Sequence, residues 1–275
     1  SRTRGVVVSN LLLEGLAGLL LGVSPLAIPA AVPSPTSPQA MRQWLSGQEA
    51  MRGGRPRQAI IAYHQALKAD PSLTRAHLSL AAAHLDLQED HLAADHLRRY
   101  LDKEPTHVQV RQHLADLLCR LGQGALAEAQ YRRTLADLPP TDAGTAGRIH
   151  CHGKLMELAL AMNNPGAAHL HRGIGLFLLA SQVSLAAPED RVRPEPLLCR
   201  AAGELLKAQH EDTESSLPAW YLHQVWHLLG QEHLARMWLD RVLDDPTLKD
   251  LDQGERLELA RMRQDISSQN RLFTR

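Results

Sequence analysis

The sequence predicts an all-α chain, a right-handed α-solenoid of antiparallel helix pairs, and three observations predict it. Pro71, Pro105 and Pro139 lie 34 residues apart in turn. Each closes a helical pattern, as proline does just past a helix end. Ala and Leu dominate the composition, both strong helix formers, and no stretch alternates apolar and polar residues like a half-buried strand. Over 275 residues the chain is 44% hydrophobic, 22% charged and only 4% aromatic, an ordinary balance for a chain that buries a continuous core. Lys plus Arg is 30 and Asp plus Glu is 30. With no net charge, no whole-chain field recruits nucleic acid or acidic lipid.

Residues 1–32 are not solenoid. Arg2 and Arg4 precede an apolar stretch from Val6 to Val32, and residues 33–39, with Pro33, Pro35 and Pro38, read as an extended linker. A basic start, an apolar middle and a Pro/Ser linker suggest a membrane anchor or an export signal. A span takes ~20 apolar residues, and Gly15 to Val32 supplies 18 uncharged ones. Asn10, Glu14, Gly18 and Gly22 share one face, a small and polar stripe suited to packing on another membrane helix. Glu14 costs about 2.5–3.5 kcal/mol at mid-bilayer, and Pro25 and Pro29 break the last turns. The leading expectation is a single-pass membrane anchor. The alternatives are a cleaved signal around Leu11–Val23, which lacks an Ala-x-Ala site and would make the protein exported, and a partly buried helix of a cytoplasmic protein.

From residue 40 to 140 three segments align without gaps. The first carries Gly47, Gly54, Ala59, Tyr63, Ala66 and Pro71. The second carries Ala81, Ala93, Leu97, Tyr100 and Pro105, and the third Ala115, Gly122, Ala127, Tyr131, Thr134 and Pro139. Small residues let two antiparallel helices approach closely, and the large one fills the gap to the next pair. The order and the 34-residue period resemble the tetratricopeptide repeat. Tyr100 and Thr134 depart from it, standing where the family has a small residue late in the second helix. The register predicts three helix pairs turning near Gly54, Gln88 and Gly122, with Ala59, Ala93 and Ala127 buried at close contacts.

Beyond Pro140 the pattern decays. Residues 141–187 read as a divergent pair, Arg148–Met162 and Pro165–Ala187, turned at Asn163-Asn164-Pro165-Gly166. Residues 188–275 begin with a Pro-rich linker. A helix over Leu197–His210 follows, then a pair, Leu217–Leu229 and Gln231–Leu243, around Gly230, which Trp220, Trp226 and Trp238 are expected to stitch. Leu251–Ile266 mixes Glu and Arg and suits a polar capping helix, which solenoid ends require.

No reaction constellation is visible: no Gly-rich phosphate loop, no Gly-x-Ser-x-Gly, no carboxylate pair placed for acid/base work. No catalytic residue, cofactor or metal is therefore expected. His is abundant at 15. His223 and His227 have the i, i+4 spacing that can chelate a metal, but Gln224 and Val225 follow His223 where a zinc-protease signature needs Glu. His150 and His152 flank Cys151 on opposite faces. Cys119, Cys151 and Cys199 make no disulfide or zinc pattern and read as small core residues. Arg52, Arg55 and Arg57, like Arg98 and Arg99, lack the aromatic or Gly interleaving of an RNA surface.

The resemblance implies a protein or peptide partner on the concave face of the solenoid, which the first helices line. It places Trp44, Gln48 and Arg52 there from the first unit. Arg75, Leu78, Ala82 and Asp86 come from the second, and Gln112, Asp116 and Arg120 from the third. One subclass of the family clamps the C-terminal carboxylate of chaperone tails through Lys, Asn and Arg at fixed positions. Those positions here hold Trp44, Gln48, Ser79, Gln109 and His113, which argues against such a clamp. The expected function is a scaffold or assembly factor, with a self-associating structural subunit, or an enzyme accessory with a His-based metal site, as the alternatives.

Overall fold

The computed structural model describes residues 37–139, 142–185 and 193–273. Among them every regular element is a helix: α1 Pro38–Arg52, α2 Pro56–Ala69, α3 Arg75–Asp86, α4 Asp90–Leu101, α5 Val108–Arg120, α6 Gly124–Asp137, α7 Asp142–Ala161, α8 Pro165–Leu185, α9 Glu195–Glu211, α10 Leu217–Leu228, α11 Glu232–Leu243 and α12 Gln253–Phe273. Proline opens α1, α2 and α10 within the first turn, where its missing N–H removes no bond and its fixed φ suits the helix.

Five helix ends carry the same stop. At the end of α1 the Gly54 N–H bonds the Met51 carbonyl and the Arg55 N–H bonds the Ala50 carbonyl. The same two bonds recur at Gln88 and Glu89 after α3, Gly122 and Gln123 after α5, Asn163 and Asn164 after α7, and Gly230 and Gln231 after α10. This pair closes the orphan carbonyls of the last turn and requires one residue with positive φ. Gly54, Gly122 and Gly230 take it at +66°, +71° and +69°, while Gln88 and Asn163 take it at +59° and +54°. The turns at positions 54, 88 and 122 thus repeat at the period of the prolines.

The chain divides into two compact units, Ser1–Ala127 and Glu128–Arg275. The division falls inside α6. In the first unit α1 packs on α2, α2 on α3, α3 on α4 and α4 on α5. In the second, α7 packs on α8, α8 on α9, α9 on α10 and α10 on α11. Antiparallel pairs stacked at a 34-residue register make this a tetratricopeptide-like all-α fold.

Ala59, Ala93 and Ala127 are all fully buried, as are Tyr63, Leu97 and Tyr131. A methyl group is what these close contacts accommodate, so Leu at any of the three should overpack its site and cost ~1–3 kcal/mol. Urea unfolding of Ala59→Leu and Ala93→Leu measures this. Unchanged unfolding free energies would contradict the packing.

The last helix is anchored by a capping box. The Glu255 N–H bonds Asp252 Oδ1 at 2.8 Å, and the Asp252 N–H bonds Glu255 Oε2 at 2.8 Å. The other oxygen of Glu255 accepts from the Tyr221 hydroxyl at 2.7 Å, tying α12 to α10. The capping helix starts two residues later than its sequence pattern and runs further at its other end, from Gln253 to Phe273.

Three expectations change. The single-pass membrane anchor is overturned: no helix among the described residues is long and apolar enough to cross a membrane. The longest ones interrupt their apolar residues with His169, His171 and Arg172 in α8 and with Glu255, Arg256 and Glu258 in α12, groups that are costly in hydrocarbon. Residues 1–32, on which the anchor was placed, lie outside the described residues. The cysteines do not behave alike, since Cys151 is buried while Cys199 is exposed. Of the three Trp expected to stitch the last pair, only Trp220 is fully buried. Trp238 lies nearer the surface, with the Arg241 guanidinium over its ring at 5.9 Å.

Candidate functional site

Apart from Arg75, the partner-facing residues read from the sequence fall into three rows, because positions 34 apart occupy the same place on successive first helices. Trp44, Leu78 and Gln112 form one row. Gln48, Ala82 and Asp116 form the second, one turn later, and Arg52, Asp86 and Arg120 the third, at the helix ends. Exposure rises along this order. Leu78 is only 1% exposed, while Trp44 and Gln112 are half-buried. The middle row is partly exposed, and Arg52, Asp86 and Arg120 are all exposed.

Leu78 is therefore corrected to a core residue, and Trp44 and Gln112 beside it are partly covered by packing. Leu78 is enclosed because α3 is covered round most of its circumference: Ala76, Leu78, Ser79, Leu80, Ala81, Ala83 and His84 are all buried.

Trp44 packs against two core clusters, one around Tyr63 and Leu80 and one around Ala66 and Leu73. Its indole N–H donates to Ser79 Oγ at 3.0 Å, and Gln48 Nε2 donates to the same oxygen at 3.1 Å. The Arg75 guanidinium lies over the indole at 5.3 Å, within cation–π range. Ser79 thus joins α1 to α3 by accepting two side-chain bonds. Its role was not read from the sequence, although its distance from Trp44 and Gln48 is close to one repeat.

The third row keeps both signs of charge. Arg120 already spends part of its charge on Asp90, at 3.0 and 3.3 Å from the two carboxylate oxygens. An exposed pair of that kind is worth ~0–1 kcal/mol. Arg111, by contrast, is buried and donates to the Pro105 carbonyl, which ties the start of α5 to the preceding turn.

His223 and His227 are one turn apart with stacked rings 6.3 Å between centroids. His223 donates Nδ1–H to the Ala235 carbonyl at 3.0 Å, and His227 pairs with Glu232 at 2.9 Å. Among the described residues no third ligand joins these two.

Neither a family model nor a curated protein matches the chain. Among solved structures it is similar to MamA, at 14% identity over 75% of this chain and 91% of that one, with a TM-score of 0.41. It is also similar to PilW, described as a widely conserved type IV pilus biogenesis factor, at 20% identity over 78% and 98% with a TM-score of 0.38. A third is PilF of Pseudomonas aeruginosa, at 16% over 74% and 90% with a TM-score of 0.39. At these scores the likenesses carry no argument about function. The fold assignment rests on the chain's own helix pairs.

Proposed function

We propose that this chain is a protein-interaction scaffold that holds a peptide or helix of a partner protein along the outer rows of its first helices. The observation that carries the reading is the row Arg52, Asp86 and Arg120. These three share one repeat position, all are exposed, and their charges alternate. One turn earlier Gln48, Ala82 and Asp116 add a small gap flanked by polar groups, and the edge of the Trp44 indole with Arg75 forms a wall. Alternating charge beside apolar area favours a ligand with both apolar anchors and charges over a uniformly acidic tail. Complementary charges of this kind set orientation and partner choice more than raw affinity.

The full chain, used as bait with mass-spectrometric identification, should capture a partner protein. Charge reversal then tests the face. Arg52→Glu and Asp86→Lys, both at exposed positions, should leave stability within about 0.5 kcal/mol. Each should weaken partner binding by about 1 kcal/mol or more. Equal binding by the parent and by both variants would place the partner elsewhere.

A further inference from the structure

We propose that His64, His84 and His96 form a binding site for a divalent transition-metal ion, with zinc the best-fitting candidate. The three come from three different helices, α2, α3 and α4, all within the first compact unit. Each can offer one ring nitrogen, and these nitrogens all lie within 4.8 Å of one another. The His84 and His96 rings stack at 5.4 Å with planes 9° apart, and the His64 ring stands 5.9 Å from that of His96. Zinc–nitrogen bonds of ~2.0–2.1 Å at tetrahedral angles require nitrogens about 3.4 Å apart. The cluster therefore needs to close by roughly an ångström, and His64, exposed at its outer corner, is free to swing.

The surroundings are those of a ligand set. His84 directs Nδ1 to Glu89 Oε2 at 2.6 Å. A carboxylate on that nitrogen holds the proton there, leaves Nε2 for the ion and raises its basicity. His96 meets His77 Nδ1-to-Nδ1 at 3.1 Å. When His96 donates in that contact, its Nε2 too is left for the ion. His84 and His96 are both buried, which fixes their rings. The charged groups around the cluster are Glu89 and Arg99, of opposite sign. Three imidazoles with no direct carboxylate ligand select zinc, copper, nickel or cobalt over calcium and magnesium. With His64 exposed, water could supply a fourth ligand. Such an ion would clamp α2 to the pair α3 and α4.

The test uses the full chain without an affinity tag, stripped with chelator. Titration calorimetry with zinc should give one saturable equivalent, and Co2+ in its place should give the visible absorption of a tetrahedral site. His64→Ala removes a ligand at an exposed corner. It should melt like the parent in chelator yet bind zinc at least tenfold more weakly. Glu89→Gln should lose ten- to a hundredfold, the usual effect of removing such a supporting carboxylate. His91→Ala, exposed on the same helix as His96, should bind like the parent. No saturable binding of either ion, or binding that survives His64→Ala unchanged, would overturn the proposal.

Discussion

Between pH 6.5 and about 4 the protein is expected to lose several kcal/mol of stability, and the buried pair His152–His171 is the largest identified source. The two rings meet Nδ1-to-Nδ1 at 3.1 Å between α7 and α8. One nitrogen must donate and the other accept, so adding a proton sets two N–H groups face to face. Burial, then the Arg132 charge, holds His171 down from 6.5 to about 4, and burial, His171 and Arg148 hold His152 well below 6.5. Both folded-state values are depressed. Their stabilisation is therefore fully present above the unfolded value of 6.5 and is lost as pH falls through the folded one. For His171, a depression from 6.5 to about 4 is worth roughly 3 kcal/mol. Glu255, raised by burial, runs the opposite way: its contribution is present below 4.5 and fades as pH rises. Urea unfolding across the window should show His171→Gln with a clearly shallower loss than the parent. A residual slope remains from His96 in the other unit, which is also held down to about 4. Identical slopes for parent and variant would remove the pair as the cause.

Gly47→Ala is expected to destabilise the first unit by ~1–3 kcal/mol, a large effect for one methyl group. A Cβ at Gly47 would stand 2.3 Å from Tyr63 Cε1 and 2.6 Å from Cδ1. The Tyr63 ring is fully buried among Ala59, Ala50 and Leu80, so it cannot swing away as an exposed side chain would. That burial also pushes the Tyr63 hydroxyl up to about 12. Tyr63→Leu removes the ring edge that the methyl would strike. The cost of Gly47→Ala should therefore fall markedly in the Tyr63→Leu background, a coupling that a double-mutant cycle reads directly. Strict additivity of the two substitutions would mean that the methyl clashes with something else.

Residues within one or two helical turns of each other were legible from the sequence. The prolines and the turns at Gly54, Gly122 and Gly230 act through local backbone geometry, and the small residues at Gly47, Ala59, Ala93 and Ala127 show themselves through the repeat and helix periods. Both are properties of a chain read in one dimension, and they determined the helix pairs and most of their ends. Whether a residue with positive φ must be glycine was less legible, since Gln88 and Asn163 fill the same stop. What the tertiary structure alone decided is which distant side chains meet. Leu78 sits in the core although it shares a repeat position with the half-buried Trp44, because each first helix is covered to a different extent by its neighbours. Ser79 joins α1 to α3, and His152 meets His171. The separations from His64 to His84 and from His84 to His96 match no metal-binding spacing, and the three imidazoles come together only because α2 packs on α3 and α3 on α4. Such a convergence depends on interhelical packing angles and distances set by many side chains at once, and no linear spacing encodes it.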